Sequence, residues 1–128
     1  INGDLFTKPP YKKMMESFNE NKSEILIGIK KFNTKSPYGV VNFDKKNRVT
    51  EIIEKPTRTE WINAGIYILN PKTLALIEKK FMTTPELIEK VMNSGRTIIT
   101  YDIGDKWVDI GCLEDYEAAD LLINKWKA

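Results

Sequence analysis

The strongest constraint on the fold is a continuous apolar segment, Ile-Leu-Ile-Gly-Ile at residues 25–29, with polar residues on both sides. A strand that faces water on one side alternates apolar and polar residues, whereas a continuous run is typical of a strand covered on both faces. We therefore predict an interior strand, which needs helices on both sides of its sheet. This favours an α/β fold with a mixed, mostly parallel sheet and flanking helices.

Runs rich in β-branched and aromatic residues predict the other strands. Two of them flank the polar turn Asp44-Lys45-Lys46-Asn47 and predict a β-hairpin. The predicted strands cover residues 25–29, 38–43, 48–53, 62–69, 97–101 and 107–110.

Helix start and stop residues predict four helices. The first covers residues 10–19 after two prolines, and a short one follows Asn70-Pro71 through Leu74 and Ile77. A third begins at Thr84-Pro85-Glu86, ends near Gly95, and places on its buried face Leu87, Ile88, Val91 and Met92. The last is expected to bury one face formed by Leu113, Tyr116, Ala119, Ile123 and Trp126.

The 128 residues include no histidine and one cysteine, Cys112. The absence of histidine excludes Ser-His and Cys-His nucleophiles and histidine metal sites, so chemistry must use carboxylates, lysines, hydroxyls or oxygen-liganded metals. A single cysteine forms no internal disulfide, which fits a cytoplasmic location. Cys112 itself is expected to be a buried or partly buried filler.

The charge balance and the apolar runs exclude two classes of partner. Twenty basic residues against 18 acidic ones give a net charge of +2, which is too small to indicate nucleic-acid binding. The longest apolar runs are far shorter than the roughly 18 residues that a membrane span requires. We therefore expect neither nucleic acid nor membrane as a partner.

Two aspartates are candidates for binding a ligand or a metal, and the turn that holds the first would place it just beyond the carboxyl end of a strand, where open α/β sheets bind ligands. Asp4 lies in the turn Asn-Gly-Asp, and Asp109 lies at an apolar strand end before Gly111. A buried carboxylate needs a partner or a metal. Taken singly, Asp4 could instead cap the next element, and Asp109 could belong to a structural salt bridge.

Three other segments could bind a ligand or have ordinary structural roles. Glu54 and Lys55 could bind a hydroxyl and a phosphate, or lie on a solvated strand end. Asn63 and Gly65 could admit a sugar ring or form a bulge, and Gly39 could belong to an ordinary turn.

Six motifs in a fixed order narrow these alternatives. They are Asn-Gly-Asp, Tyr-Gly-Val-Val, Glu-Lys-Pro, Trp-Ile-Asn-Ala-Gly-Ile-Tyr-Ile-Leu-Asn, Thr-Pro-Glu-Leu-Ile and Trp-Val-Asp-Ile-Gly. Over residues 2–120 the chain resembles the sugar-1-phosphate nucleotidyltransferases, or nucleotide-sugar pyrophosphorylases. It most resembles bacterial members of the mannose-1-phosphate guanylyltransferase and glucose-1-phosphate thymidylyltransferase type, which have a Rossmann-like fold.

The resemblance implies an enzyme in which a sugar 1-phosphate attacks the α-phosphorus of a nucleoside triphosphate (NTP), which gives an NDP-sugar and pyrophosphate. It implies that Asp4 and Asp109 bind Mg²⁺ and act in catalysis with Lys55. It also implies that Lys55 contacts the sugar phosphate and Glu54 the sugar hydroxyls. The sugar pocket would be lined by Gly39, Asn63 and Gly65.

The chain departs from the family in one respect, because it contains no Gly-x-Gly segment. Family members bind the triphosphate with a Gly-rich loop that lies upstream of Asn-Gly-Asp. We therefore expect residues 1–128 to form the C-terminal, sugar-binding half of the catalytic domain, without the N-terminal half and inactive alone. The missing neighbours suggest a homodimer through an exposed sheet edge.

Two alternatives stay open from the sequence. One is a noncatalytic relative that binds an NDP-sugar and regulates a partner, although such a protein has no need for two metal ligands. The other is a metal-dependent glycosyltransferase, although those enzymes usually carry an Asp-x-Asp pair, and Asn-Gly-Asp has one carboxylate. Residues 61–71 and the Thr-Pro-Glu-Leu-Ile motif favour guanylyl transfer over other bases.

Overall fold

The computed structural model describes residues 1–78 and 81–127, and the side chains of residues 114, 118, 123, 124 and 127 are outside the description. The strands are β1 Leu5–Thr7, β2 Ile25–Lys35, β3 Val40–Phe43, β4 Val49–Ile53, β5 Thr57–Leu69, β6 Ile98–Asp102 and β7 Trp107–Asp109. The helices are α1 Tyr11–Glu20, a 3₁₀ helix Pro71–Leu76, α2 Thr84–Asn93 and α3 Leu113–Lys127. The chain divides into a first unit, Ile1–Lys30 with Asn63–Ala128, and a second unit, Lys31–Ile62.

The central sheet has the order β5-β2-β6, so β2 is the interior strand that the apolar segment predicted. Strand β2 runs parallel to β6, with Ile25 opposite Ile98 and Ile29 opposite Asp102. At the other edge, the Asn70 backbone N–H donates to the Glu24 carbonyl at 2.9 Å, which places β5 antiparallel to β2. The sheet is therefore mixed, as predicted, but it is not mostly parallel, because β2–β6 is parallel and β5–β2 antiparallel.

The two faces of β2 are covered by different helices. Leu26 packs with Met14 of α1 in one buried cluster, whereas Ile25 packs with Leu87 and Val91 of α2 in another. Successive residues of a strand point to opposite faces, which explains why neighbours in sequence join separate clusters. Burial of each such side chain contributes about 1.5–3 kcal/mol relative to exposure.

Local capping fixes the ends of the helices in this unit. Glu86 donates its N–H to Thr83 Oγ1 at 3.4 Å, and the Thr83 N–H donates to Glu86 Oε2 at 2.6 Å, which forms a capping box before α2. Gly95 follows with φ of +71°, a backbone conformation that terminates helices. The 3₁₀ helix begins at the predicted Asn70 cap but ends at Leu76, one residue before Ile77.

Four expectations about burial were wrong, because these side chains face solvent. Met92 is 62% exposed, and Cys112 is exposed rather than buried. On α3, Leu113 and Tyr116 are exposed while Ala119 is buried, and the predicted position of Ile123 lies outside the described side chains. Within the described residues, no helix has the length and apolar character needed to cross a membrane.

The short strand β1 pairs with β7, from the other end of the chain, in an antiparallel ladder that the apolar pattern did not predict. Leu5 lies opposite Asp109, Phe6 opposite Val108 and Thr7 opposite Trp107. The strand over residues 107–110 was predicted, but β1 has only three residues and carries too little periodicity to be recognised in a sequence.

The second unit consists of the β3–β4 hairpin together with the polar ends of β2 and β5. The predicted hairpin is present, with Val40 opposite Ile53 and Val41 opposite Ile52, and the register shifts between Asn42 and Phe43. None of residues 31–62, all of which are described, is buried. Backbone pairing and cross-strand contacts therefore stabilise this unit in place of a core.

The hairpin turn is organised by Asp44. Its Oδ1 accepts hydrogen bonds from the backbone N–H groups of Lys46 at 2.8 Å and Arg48 at 3.1 Å. Its Oδ2 accepts from Arg48 Nε at 2.9 Å. The Arg48 backbone, then the Arg48 side chain, then the Lys46 backbone lower the pKa of this carboxyl.

Because the pKa of Asp44 is lowered in the folded state, its contribution to hairpin stability is present above the unfolded pKa. That contribution is lost as pH falls through the folded value. In an NMR titration we expect the Lys46 and Arg48 amide shifts to follow one protonation with a midpoint below about 3.9, the ordinary aspartate value. Asp44→Asn should abolish this response and Asp105→Asn should leave it intact, whereas a midpoint above 3.9 would contradict the assignment.

Candidate functional site

The seven predicted site residues fall into two groups, one in each unit. The first unit holds Asp4, Asn63, Gly65 and Asp109, and the second holds Gly39, Glu54 and Lys55. In the first group the aspartates lie at the β1–β7 ladder and the other two residues on β5, and the second group lies at the end of the β3–β4 hairpin.

The β1–β7 ladder brings Asp4 and Asp109 onto adjacent chain segments. The Ile110 backbone N–H donates to the Asp4 carbonyl at 2.8 Å, and Asp109 lies opposite Leu5. Both aspartates are exposed, so the expectation of an enclosed Asp109 was wrong. Within residues 1–78 and 81–127 neither carboxylate joins a hydrogen bond or ion pair, which argues against the capping and salt-bridge interpretations.

The turn before Asp4 is held against β5 at Gly65. The Asn2 backbone N–H donates to the Gly65 carbonyl at 2.9 Å. Gly65 is buried with φ of +69°, and a Cβ added there would lie 2.7 Å from Asn2 Nδ2. Both the backbone conformation and the close approach of Asn2 therefore require glycine.

The side chain of Asn63 folds back onto its own strand. Its Oδ1 accepts from the Gly65 backbone N–H at 3.0 Å, and its Nδ2 donates to the Tyr67 hydroxyl at 2.8 Å. An amide side chain has two N–H donors and two acceptor lone pairs, so one of each remains for a ligand. The irregular strand and the ligand-binding interpretation are thus compatible at this exposed residue.

Three residues at this site had been assigned no role from the sequence: Asn2, Tyr67 and Trp107. Trp107 donates its indole N–H to the Ala64 carbonyl at 2.8 Å and so links β7 to β5. A tryptophan near a strand end usually needs a hydrogen-bond partner for its indole N–H, and this signal could have indicated a role for Trp107. Tyr67 lies two residues after Gly65 on the same strand, and this spacing could have indicated a role for Tyr67. Tyr67 also lines an apolar groove of about 290 Å³.

In the second unit, the hairpin register places Gly39 beside Glu54, because Val40 lies opposite Ile53. A Cβ on Gly39 would lie 2.9 Å from Glu54 Oε2. Lys55, the next residue, has φ of +45° although it is neither glycine nor asparagine and precedes Pro56. Within the described residues, neither Glu54 nor Lys55 forms a side-chain ion pair or hydrogen bond.

The donor set of the first unit fits a hard divalent cation. Across the described part of the chain no three Asp, Glu, Cys or His residues cluster to form a complete metal cage. Two free carboxylates, Asp4 and Asp109, are nevertheless the number that Mg²⁺ commonly takes from a protein when water and phosphate oxygens complete its octahedron.

The two site glycines predict a graded response to alanine. Gly65→Ala forces a left-handed backbone on a residue with a Cβ and a clash with Asn2, so we expect at least about 1–2 kcal/mol of destabilisation. In Gly39→Ala the clashing atom is the flexible end of Glu54, so the loss should be below about 1 kcal/mol. Denaturant unfolding measures both, and equal losses would contradict this structural difference.

Comparison with known proteins identifies the family of this chain. The family described as nucleotidyl transferase matches residues 1–125. The chain is 31% identical over 118 residues to the mannose-1-phosphate guanylyltransferase catalytic subunit beta of Drosophila pseudoobscura pseudoobscura, covering 91% of this chain and 32% of that one. It is 29% identical over 143 residues to a glucose-1-phosphate adenylyltransferase of Clostridium perfringens, covering 99% of this chain and 36% of that one.

The chain thus spans about a third of the length of these curated relatives. Among solved structures, HddC from Yersinia pseudotuberculosis, alone and complexed with GMP-PN, matches with a TM-score of 0.63 and 28% identity. The match covers 96% of this chain and 53% of HddC, and it confirms the predicted α/β, Rossmann-like fold. The chain belongs to the nucleotidyl transferase family.

Proposed function

We propose that this chain forms the sugar-phosphate-binding and metal-binding part of a sugar-1-phosphate nucleotidyltransferase. The observation that carries the proposal is the β1–β7 ladder, which brings Asp4 and Asp109 onto adjacent chain segments, with neither carboxylate paired within the described residues. Residues 63–65 of β5 are tied to the same ladder through Asn2 and Trp107. Carboxylates without partners in the described structure, beside an exposed amide side chain, favour a site for a metal and a hydroxylated ligand.

In the proposed reaction, a phosphate oxygen of the sugar 1-phosphate attacks the α-phosphorus of an NTP. A new P–O bond forms to the α-phosphorus as its bond to the oxygen that bridges to the β-phosphorus breaks, and pyrophosphate leaves with that electron pair. The reaction needs in-line positioning and charge neutralisation and no nucleophilic side chain. A chain without histidine can therefore take part in it.

We assign Asp4 and Asp109 as the residues that would hold Mg²⁺. When bound, the ion would neutralise phosphate charge and orient the reacting oxygens. The carboxylates meet its preference for hard oxygen ligands, and they are exposed, so substrate phosphates could complete its coordination.

In the second unit, we assign Lys55 to the sugar phosphate and Glu54 with Gly39 to the sugar. The conformation of Lys55 supports this, since a non-glycine residue with positive φ costs about 1–3 kcal/mol and such residues cluster at functional sites. Its ammonium is a compact cation suited to phosphate. Glu54 is exposed beside Gly39, where its carboxylate can accept hydrogen bonds from sugar hydroxyls.

We propose guanylyl transfer in a cytoplasmic setting. Relatives named for guanylyl transfer and for adenylyl transfer both match, so support for the base rests on the motif likeness in residues 61–71. The single exposed Cys112 fits a reducing compartment.

The homodimer stays a prediction. The sequence suggested that two copies associate through an exposed sheet edge. The β3–β4 hairpin offers a second surface that another copy of the chain could cover. The side chains of Val41, Phe43, Val49 and Ile52 share one face and are 47–68% exposed.

Metal binding by the chain tests the carboxylate assignment directly. We expect the 128-residue chain to bind Mn²⁺, used as an EPR-active substitute for Mg²⁺, in the presence of GDP-mannose. Asp109→Asn should weaken that binding at least tenfold, because loss of even an outer-sphere partner commonly costs about 10–100-fold. Asp105→Asn, an exposed aspartate two residues before the ladder, is the matched control and should bind as the wild type does.

The same titration separates the competing functions. GDP-mannose binding that is equally tight with and without metal would favour a regulatory sugar-nucleotide sensor over an enzyme. Equal Mn²⁺ affinity in the wild type and Asp109→Asn would reject the metal assignment.

The chain alone should not catalyse the reaction. Its 128 residues contain no Gly-x-Gly segment of the kind that cradles a triphosphate, so one substrate has no binding loop here. We expect no GTP to form from GDP-mannose and pyrophosphate with Mg²⁺ present, measured by chromatography. A full-length mannose-1-phosphate guanylyltransferase serves as the positive control, and GTP formation above background by this chain would contradict the expectation.

A further inference from the structure

Lys30 of β2 makes three contacts with one short segment at the start of β7. Its Nζ lies 3.3 Å from the Trp107 carbonyl oxygen and 3.5 Å from the Asp105 carbonyl oxygen. The same ammonium lies 5.4 Å from the centroid of the Trp107 ring. Lys30 is only half-buried, so its charge remains partly hydrated.

These contacts use the chemistry of an ammonium group in two ways. Two of its three donors reach backbone carbonyls, and the charge interacts with the aromatic face. Residue 106, between the two contacted carbonyls, is held from the other side, because its carbonyl accepts from Thr7 Oγ1 at 2.8 Å and from the Lys8 N–H at 2.9 Å. Residues 105–107 are thus clamped between β2 and the end of β1.

We infer that Lys30 is a positioning residue for the metal-binding carboxylates: by holding residues 105–107 it fixes where β7 presents Asp109. The same clamp orients the Trp107 indole toward the Ala64 carbonyl, next to Asn63 and Gly65. This inference rests on the proposed function for the role of Asp109, whereas the placement of β7 by Lys30 can be measured without it.

The alternative is that Lys30 is an ordinary hydrated lysine with incidental contacts. Lys31 provides a matched control within the same strand, because its Nζ lies 5.2 Å from the ring centroid of Trp61. Lys31 and Trp61 both belong to the second unit. Lys31 thus has a similar cation–aromatic distance but no hydrogen bond to residues 105–107 among the described contacts.

Amide hydrogen exchange of the 128-residue chain tests the inference. The reporters are the Ile110 N–H, bonded to the Asp4 carbonyl, and the Lys8 N–H, bonded to the Lys106 carbonyl. Lys30→Met keeps the aliphatic stem and removes the charge and donors. We expect both amides to exchange at least about tenfold faster in Lys30→Met, because loss of a cation–aromatic contact together with a charged hydrogen bond corresponds to at least that factor.

Three comparisons make this result specific. Amides of the β2–β6 ladder should keep their wild-type rates, Lys31→Met should leave the reporters unchanged, and Lys30→Arg should restore most of the protection. Unchanged reporter rates in Lys30→Met would overturn the inference. A uniform acceleration that includes the β2–β6 ladder would also overturn it, because it would show a general loss of stability.

Mn²⁺ binding followed by EPR then separates this inference from the proposed function. Weaker Mn²⁺ binding in Lys30→Met than in Lys31→Met supports both the positioning role of Lys30 and the metal assignment. If the two reporter amides exchange faster in Lys30→Met but the wild type does not bind Mn²⁺, the placement of β7 by Lys30 is supported and the metal assignment is rejected. Wild-type Mn²⁺ binding that Lys30→Met leaves unchanged would overturn the positioning role and leave the metal assignment standing.

Discussion

The burial of β2 on both faces is the constraint on which the rest of the first unit depends. Each face needs its own helix, so the chain must cross the sheet between α1 and α2. Gly28 in the middle of this strand is tightly packed, because a Cβ would lie 3.0 Å from Ile103 Cγ2 and 3.2 Å from Ile66 Cβ. This tight contact sets Ile103 at the end of β6, from which the chain continues to β7.

The candidate site is less firmly built than this core. The β1–β7 ladder has only three residue pairs, so its own hydrogen bonds are few. It depends on contacts from outside, chiefly Asn2 with Gly65, Trp107 with Ala64, and Lys30 with residues 105–107. The carboxylates of Asp4 and Asp109 at the end of this ladder form no hydrogen bond or ion pair within the described residues. Such side chains add little to the stability of the fold and are available to bind a ligand.

The sequence predicted those features of the fold that are decided within a few residues. The Asn70 cap, the Thr83–Glu86 start of α2 and the Gly95 stop are local hydrogen bonds and backbone conformations, and the structure has them. It did not predict β1, nor that β2 would continue to Lys35. The ladder of β1 joins distant segments, and the polar end of β2 covers no core and so has no apolar pattern.

For the site, the motifs predicted residues that the two ladders do group, but they did not predict the surroundings of those residues. Asp109 was expected within an apolar strand end, yet it is exposed, whereas its neighbours Trp107 and Val108 are half-buried. The roles of Tyr67 and Trp107 arise from single hydrogen bonds between strands. Such bonds depend on orientation, which spacing along the sequence does not determine.

The backbone at Lys55 sets stability against function. A glycine or asparagine would adopt its φ of +45° with little strain, so selection for thermal stability alone would remove the lysine. The cation proposed to hold the sugar phosphate would disappear with it. An engineering campaign that screens this chain only for melting temperature would therefore enrich variants at this position that are more stable and bind sugar phosphate less well.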